Sequence, residues 1–295
     1  MTHRSGFATI IGRPNVGKST LINTIVGEKI AIISDKPQTT RNRIQGVYTQ
    51  EDYQIIFIDT PGIHKPKHKL GDFMVRVARE SWTGVDIILF LVDESYSIGP
   101  GDAYIIEELK KVKTPIILVI NKIDKIKQDI FNDIYKNYKE MDIFADIVGI
   151  SALEAINIQV LLDKIIDFLP EGPQYFPEDM ITDQPERVIV AEIIREKVLH
   201  YTHEEIPYGV AVETVKMSKR KDQDIIDIHA TIYCDKKSHR GIIIGKQGRK
   251  LKGIGKSARI DIEKLLASKV YLELWVKDRE NWRNNQISLK NLGYK

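Results

Sequence analysis

Five short apolar runs mark the first half of the chain: FATIIG at 7–12, YQIIFID at 53–59, DIILFLVD at 86–93, PIILVIN at 115–121 and ADIVGIS at 145–151. They are nearly continuous in Ile, Leu and Val, the pattern of strands buried on both faces. Between them the pattern turns helical near 17–27, 69–83, 101–113 and 128–142, and again at 156–168. Strands alternating with helices predict an α/β domain, a mostly parallel sheet with helices on both faces. VYTQEDYQII puts a polar turn between 44–49 and 53–59, so one hairpin should add an antiparallel edge strand.

The pattern then breaks. PEGPQYFPEDMITDQPER at 170–187 holds four prolines and no periodicity, and reads as a linker. This sets the expected boundaries: a first domain at 1–170, a linker at 171–187 and a second domain at 188–295. In the second, VIVAEIIREKVLHYTHEE (188–205) is helical with Ala191, Ile194, Val198 and Tyr201 on one face. VAVETVKM and IIDIHATIYC read as strands, KKSHRGIII as a short helix, GRKLKGIGKSARIDIEKLLA as a longer one, and WRNNQISLKNLG as a last helix. VYLELWVK (270–277) alternates, with Leu272, Leu274 and Val276 on one face and Tyr271, Glu273, Trp275 and Lys277 on the other. The order is α-β-β-α-α-β-α, an α+β domain.

Composition narrows this picture. At 295 residues and 42% apolar, the chain suits two ordinary globular domains. The single cysteine, Cys234, allows no internal disulfide; it reads as a small buried hydrophobe and fits a reducing compartment. MTHRSGFATIIG lacks the apolar core of a signal peptide, and the longest apolar run, IILFLV, is too short to cross a bilayer. Nothing suggests a coiled coil or a swapped arm, so a monomer is expected. Charge is divided unevenly: residues 1–189 hold 22 Lys and Arg against 27 Asp and Glu, net −5, whereas residues 190–295 hold 22 against 14, net +8. That split points to a nucleic-acid footprint in the second part.

The chemistry of the first domain lies at its strand ends. GRPNVGKST at 12–20 follows a strand and fits the phosphate-binding loop G-x-x-x-x-G-K-[ST], engaging Gly12, Arg13, Pro14, Asn15, Val16, Gly17, Lys18, Ser19 and Thr20. Gly12 and Gly17 let backbone amides face phosphates, Lys18 brings a charge to the β- and γ-phosphates, and Ser19 offers a hydroxyl to Mg²⁺. DTPG (Asp59, Thr60, Pro61, Gly62) closes the second strand; Asp59 can serve the metal through water and the Gly62 amide can reach a γ-phosphate. NKID closes the fourth. Asp124 can accept from guanine N1–H and N2–H₂, donors that adenine lacks, while Asn121 and Lys122 would brace the loop and base. SAL (Ser151, Ala152, Leu153) closes the fifth, where a backbone amide can reach guanine O6. An ATP-using enzyme is the weaker reading because of Asp124.

These residues resemble a translation-factor-type GTPase. PQTTRNR at 37–43 looks like its first switch segment, and the match makes Thr40 the Mg²⁺-sensing threonine, with Thr39 as the alternative. Lys18, Thr40 and Gly62 would then carry catalysis, and Ser19, Thr40 and Asp59 the metal. Ile63 stands where many small GTPases have a water-positioning glutamine, which implies slow intrinsic hydrolysis, another positioning group or help from a partner. Asn15 resembles the asparagine of GTPases that use K⁺.

The second domain carries KKSHRGIIIGKQGRKLKGIGK (236–256), with eight Lys and Arg and no acid. GKQG between two helices has the spacing of the K-homology loop, whose glycines let the backbone approach about four nucleotides of single strand. Gly245, Lys246, Gln247, Gly248, Arg249, Lys250 and Lys252, with Lys237 and Arg240, are the candidate RNA contacts. The element order resembles the type II K-homology fold. Taken whole, the chain resembles a family of bacterial GTPases with a C-terminal K-homology domain that act in small ribosomal subunit assembly. That resemblance implies GTP and GDP with Mg²⁺ as ligands, the 3′ end of 16S ribosomal RNA and the 30S subunit as partners, and GTP favouring the RNA-competent state. It also implies a cytoplasmic protein able to attach peripherally to the cell membrane. The alternative is a constitutive single-stranded RNA-binding protein or chaperone in which nucleotide is structural.

Overall fold

The computed structural model describes residues 3–36, 38–62 and 68–294. They form two compact units. The first comprises the residues up to Ala31, those from Thr40 through the DTPG segment, and Met74–Asp183. The second comprises Ile32–Thr39, the residues up to Phe73, and the chain from Gln184 onward.

In the first unit the strands are β1 (Arg4–Gly12), β2 (Ile44–Gln50), β3 (Tyr53–Asp59), β4 (Ile87–Val92), β5 (Ile116–Ile120) and β6 (Asp146–Gly149). They make one six-stranded sheet in the order β2-β3-β1-β4-β5-β6, parallel except for β2, which runs antiparallel to β3 at the edge. The apolar runs are continuous because both faces are covered. In β4, Ile87, Leu89 and Leu91 enter a core with α1 (Lys18–Val26) and α5 (Ile158–Phe168). Ile88, Phe90 and Val92 enter the opposite core with α3 (Pro100–Leu109) and α4 (Gln128–Lys139). The helix α2 (Lys69–Glu80) precedes β4 and sends Ala78 into that second core.

The proline-rich stretch expected to be a linker is tied down through most of its length. Gln54, wholly buried in β3, accepts from the amides of Tyr175 (2.8 Å) and Phe176 (3.0 Å) and donates to the Phe176 carbonyl at 2.9 Å. Farther on, the Val47 amide donates to the Ile181 carbonyl at 2.9 Å, and the Thr182 hydroxyl to the Gln45 carbonyl at 2.6 Å. Absence of periodicity indicates absence of regular structure; it does not indicate absence of hydrogen bonds.

The second unit contains α6 (Glu186–Tyr201), β7 (Val210–Lys219), β8 (Ile225–Cys234), α7 (Lys237–Ile244), α8 (Arg249–Leu265), β9 (Lys269–Asp278) and α9 (Gln286–Asn291). β7 is antiparallel and β9 parallel to the central β8. Ile228, Ala230, Ile232 and Cys234 of β8 pack on α6 and α8 residues in one core. Burial pushes the Cys234 thiol up to about 11, so it behaves as a hydrophobe.

Two expectations change here. The first helix ends at Tyr201 rather than 205, where the Thr202 hydroxyl folds back to the Val198 carbonyl at 2.6 Å. The same helix is buried nearly all round: besides Ile194 and Val198, Arg195 (0% exposed) and Glu196 (1% exposed) are inside. The periodicity marks an apolar face and says nothing about whether the polar face is covered.

Candidate nucleotide site and nucleic-acid groove

The ends of β1, β3, β5 and β6 lie on the carboxyl edge of the sheet, where open α/β sheets bind ligands. Gly12 leaves β1, and the phosphate loop turns through Asn15 (φ 68°) and Gly17 (φ 104°) before α1 begins at Lys18. Gly17 is required twice over: its backbone is left-handed, and a Cβ there would lie 2.2 Å from the Asn121 amide nitrogen.

The Lys18 side chain is buried, and its Nζ donates to the carbonyls of Gly12 (3.1 Å) and Arg13 (2.8 Å). Burial lowers its pKa to about 8, against the attraction of Asp59 and with the repulsion of Arg13. Asp59 is fully buried; desolvation raises its pKa while Lys18, Ser19 and Thr40 pull the other way. Asp59 Oδ2 accepts from Ser19 Oγ at 2.7 Å and from Thr40 Oγ1 at 3.3 Å, and the two hydroxyls are 2.9 Å apart. Oδ1 is buried with no hydrogen-bond partner among the described residues. Three hard oxygens meeting beside an under-satisfied carboxylate oxygen suit Mg²⁺. Among the described residues no His, Cys, Asp and Glu cluster could cage a metal alone, so a cation here would be shared with phosphate oxygens and water. Thr39 lies differently: its hydroxyl donates to the Lys36 carbonyl at 2.5 Å.

Several predicted residues have structural duties. The Thr60 hydroxyl donates to the Ile10 carbonyl at 2.8 Å, tying β3 to β1. Arg13 turns its guanidinium to Asp102 (2.8 Å) and Asp93 (3.0 Å), leaving its backbone to the loop. Asn121 links three segments: its amide donates to the Val16 carbonyl at 2.8 Å, and its Oδ1 accepts from the Ala152 amide at 2.9 Å. The Ala152 amide, a candidate for guanine O6, is therefore already engaged, and the Ala152 carbonyl accepts from Thr24 at 2.7 Å. Lys122, at φ 66°, pairs with Glu94 at 3.3 Å. Asp124 is exposed, as a carboxylate that must meet a base would be. Ser151 is buried, Leu153 is 73% exposed, and Gly62 sits so close to Pro14 that a Cβ would lie 2.8 Å from its nitrogen. Ile63 lies outside the described residues. Asp93, which the motifs do not include, ends β4 on this same edge, so the rule that found Asp59 could have found it.

The second unit has its own concavity. GKQG joins α7 to α8 with Gly245 (φ 73°), Gln247 (φ 53°) and Gly248 (φ 72°) all left-handed. At Gly245 a Cβ would meet Lys250 Cβ at 2.7 Å, so this turn excludes larger residues. Beside it lies a groove of about 480 Å³ with Leu251, Leu272 and Leu274 as an apolar floor and Lys252, Lys256 and Arg259 as a basic rim. Gly255 keeps the floor open; its Cβ would come 3.4 Å from Leu274. Lys237, Lys246, Gln247 and Arg249 are exposed and Lys250 half-buried, whereas Arg240 is partnered by Asp278 at 3.3 Å. Leu251, Gly255, Arg259, Leu272 and Leu274 were not among the predicted contacts; the alternation of β9 was the available signal for the last two.

A phosphate loop, a guanine-type carboxylate and a hydroxyl–carboxylate metal cluster on one sheet edge, followed by a GxxG loop between helices, define a GTPase with a K-homology module. Residues 7–122 match the family described as 50S ribosome-binding GTPase, and residues 205–283 match the KH domain. The chain is 67% identical over 294 residues to GTPase Era of Alkaliphilus metalliredigens, covering 100% of both chains. It is 64% identical over 292 residues to GTPase Era of Clostridioides difficile, covering 99% of this chain and 98% of the other. Among solved structures, Era with MgGDPNP and nucleotides 1506–1542 of 16S ribosomal RNA matches with a TM-score of 0.95 at 42% identity, over 99% of each chain. A variant of Aquifex aeolicus Era bound to GDP·AlF₄⁻ matches at 0.94, also at 42% identity over 99% of each chain. The chain belongs to the Era family of GTPases. No helix among the described residues is long and apolar enough to cross a membrane.

Proposed function

We propose that this chain binds GTP with Mg²⁺, hydrolyses it slowly without a partner, and uses the nucleotide state to control binding to the 3′ end of 16S ribosomal RNA during 30S subunit assembly. What carries this reading is the joint presence, in one chain, of the Lys18–Ser19–Thr40–Asp59 cluster and the leucine-floored basic groove beside GKQG. In the first unit the Gly12–Thr20 loop holds the phosphates and Asp124 selects guanine. Ser19 and Thr40 would hold Mg²⁺ through their hydroxyls, oriented by Asp59, and the cation would supply positive charge to the phosphates. The Gly62 amide reaches the γ-phosphate, and the exposed Asn15 would offer its amide oxygen to K⁺. In the second unit, unstacked bases lie on the leucines while Lys246, Arg249, Lys250, Lys252 and Arg259 meet phosphates. The solved Era complex with 16S nucleotides and MgGDPNP supports both ligands. The protein works in the cytoplasm, and its basic second part would allow peripheral attachment to an anionic membrane surface.

Two substitutions test the groove. Gly248→Asp places a carboxylate where a Cβ meets nothing within 4 Å, in a left-handed conformation that aspartate tolerates better than most residues. Gly255→Leu fills the floor without changing charge. Each is expected to weaken binding of a short RNA matching the 16S 3′ end by about tenfold or more, at unchanged GTP affinity. The milder Gly255→Ala should stabilise α8 by roughly 0.5–1 kcal/mol, as removal of a mid-helix glycine does. Unchanged RNA affinity in both of the first two variants would remove the groove from the account.

A further inference from the structure

The phosphate loop is held from outside by Asn121 at the Val16 carbonyl and, nearer its start, by the side chain of its own Arg13. Arg13 Nε donates to Asp102 Oδ2 at 2.8 Å, and Nη2 donates to Asp93 Oδ1 at 3.0 Å. Both carboxylates are built to take it. Asp93 follows β4, and its Oδ1 also accepts from the Ser95 amide at 3.2 Å and the Ser95 hydroxyl at 2.5 Å, which fixes it. Asp102 stands in the first turn of α3 and is 1% exposed. Gly101 beside it leaves the room, since a Cβ there would lie 2.8 Å from Arg13 Cδ.

The burial of Asp102 says what the clamp is for. Its Oδ1 has no hydrogen-bond partner among the described residues, and burial raises the pKa of the carboxyl while Arg13 lowers it. A buried ion pair adds little net stability compared with apolar residues of the same size. What it adds is direction, since a planar guanidinium held through both Nε and Nη2 has one orientation. The object so fixed is the Arg13 peptide, whose carbonyl accepts from the Lys18 amine at 2.8 Å. We propose that Asp93 and Asp102 are positioning residues for the phosphate loop and the Lys18 amine, acting through Arg13. All of these residues belong to the first unit. The inference rests on the reading that the Gly12–Thr20 loop holds the phosphates. It extends the site outward to the end of β4 and the first turn of α3, which no nucleotide-binding motif includes.

The test compares two nucleotides that differ by one phosphate. GDP carries the β-phosphate that Lys18 and the loop would meet, and GMP does not. Asp102→Asn, Arg13→Met and the double variant are made in the full chain. Their affinities for GDP and GMP are measured with Mg²⁺ by competition against a fluorescent GDP analogue, at a temperature where circular dichroism shows each variant folded. Asp102→Asn is expected to lower GDP affinity by about tenfold, the scale of one charge-assisted hydrogen bond to phosphate, with GMP affinity within about twofold. The double variant should bind GDP no more than about twofold less tightly than the weaker single variant, since the two side chains act as one device. Normal GDP affinity in Asp102→Asn, an equal fall for GDP and GMP, or fully additive losses in the double variant overturns the proposal. Should Asp102→Asn fail to fold, Asp93→Asn changes a carboxylate that is 16% exposed. It should lower GDP affinity in the same direction by about threefold, the scale of a single neutral hydrogen bond, and no change would likewise overturn the proposal. Lys18→Ala is the reference. If it keeps its GDP affinity, the phosphate-loop reading falls and the inference with it; if it loses GDP while Asp102→Asn does not, the inference alone is overturned.

Discussion

Lys18→Ala is expected to weaken GTP and GDP binding by about 10²–10³-fold, since it removes charge-assisted hydrogen bonds to phosphate worth roughly 1.5–3 kcal/mol each. The wild-type protein should show the same contact as a pH dependence. Without nucleotide, burial holds the Lys18 pKa near 8, below its ordinary 10.5. Phosphates beside Nζ favour the charged form and raise that value. Below about pH 8 Lys18 is charged in both states, and its contribution to affinity is flat. Above pH 8 the free protein has lost the proton that the complex needs, so affinity falls with rising pH, by at most about tenfold per unit. Binding should therefore take up protons near pH 8.5, measurable by calorimetry in buffers of different ionisation enthalpy. A Lys18→Ala variant that binds within about tenfold of wild type, or wild-type affinity level to pH 9, would mean that phosphates do not reach this amine.

The second large effect concerns which base is bound. An aspartate carboxylate accepts from guanine N1–H and N2–H₂, so Asp124→Asn replaces one acceptor by an NH₂ donor that faces the N2 donors. The expected loss of GTP affinity is about 1–3 kcal/mol, roughly tenfold to a hundredfold. Xanthine has a carbonyl at C2 beside N1–H, matching the asparagine donor and acceptor, so xanthosine triphosphate should become the preferred ligand. Asp124 is exposed, and its replacement should change folding stability by no more than about 0.5 kcal/mol. Competition titrations with GTP, ATP and xanthosine triphosphate check the exchange. An unaltered preference for GTP would place the base elsewhere.

How much of this was legible in the sequence depends on how local each device is. Gly17, Lys18, Ser19 and Asp59 declare themselves because a phosphate-binding turn is built from adjacent backbone groups, and the apolar runs around them fix which ends of the strands meet. The alternation of strands with helices and the antiparallel β2 followed from run length and one polar turn. That Asn121 braces the loop was expected, but its partner Val16, and the Asp102 that holds Arg13, were not legible, since they lie 105 and 89 residues away. The apolar face carrying Leu272 and Leu274 was legible from alternation, but that Leu251 joins it in one groove floor was not, because the two sides come from different elements and only packing brings them together. Arg195 was the largest omission. In sequence it is a charged residue on the polar side of an amphipathic helix, and nothing nearby tells that a distant loop covers it. The residues at 171–183 illustrate the same limit, since a stretch without periodicity is fixed by three hydrogen bonds to Gln54 and one each to Gln45 and Val47.

The central claim is that one chain uses its nucleotide to govern RNA binding. The direct measurement is the affinity for a short single-stranded RNA matching the 3′ end of 16S ribosomal RNA, taken with a non-hydrolysable GTP analogue and Mg²⁺ and again with GDP at one fixed salt concentration. The account predicts clearly tighter RNA binding with the GTP analogue, and loss of that difference in Lys18→Ala. Equal RNA affinity in the two nucleotide states would contradict it and leave a constitutive RNA-binding protein with a structural nucleotide.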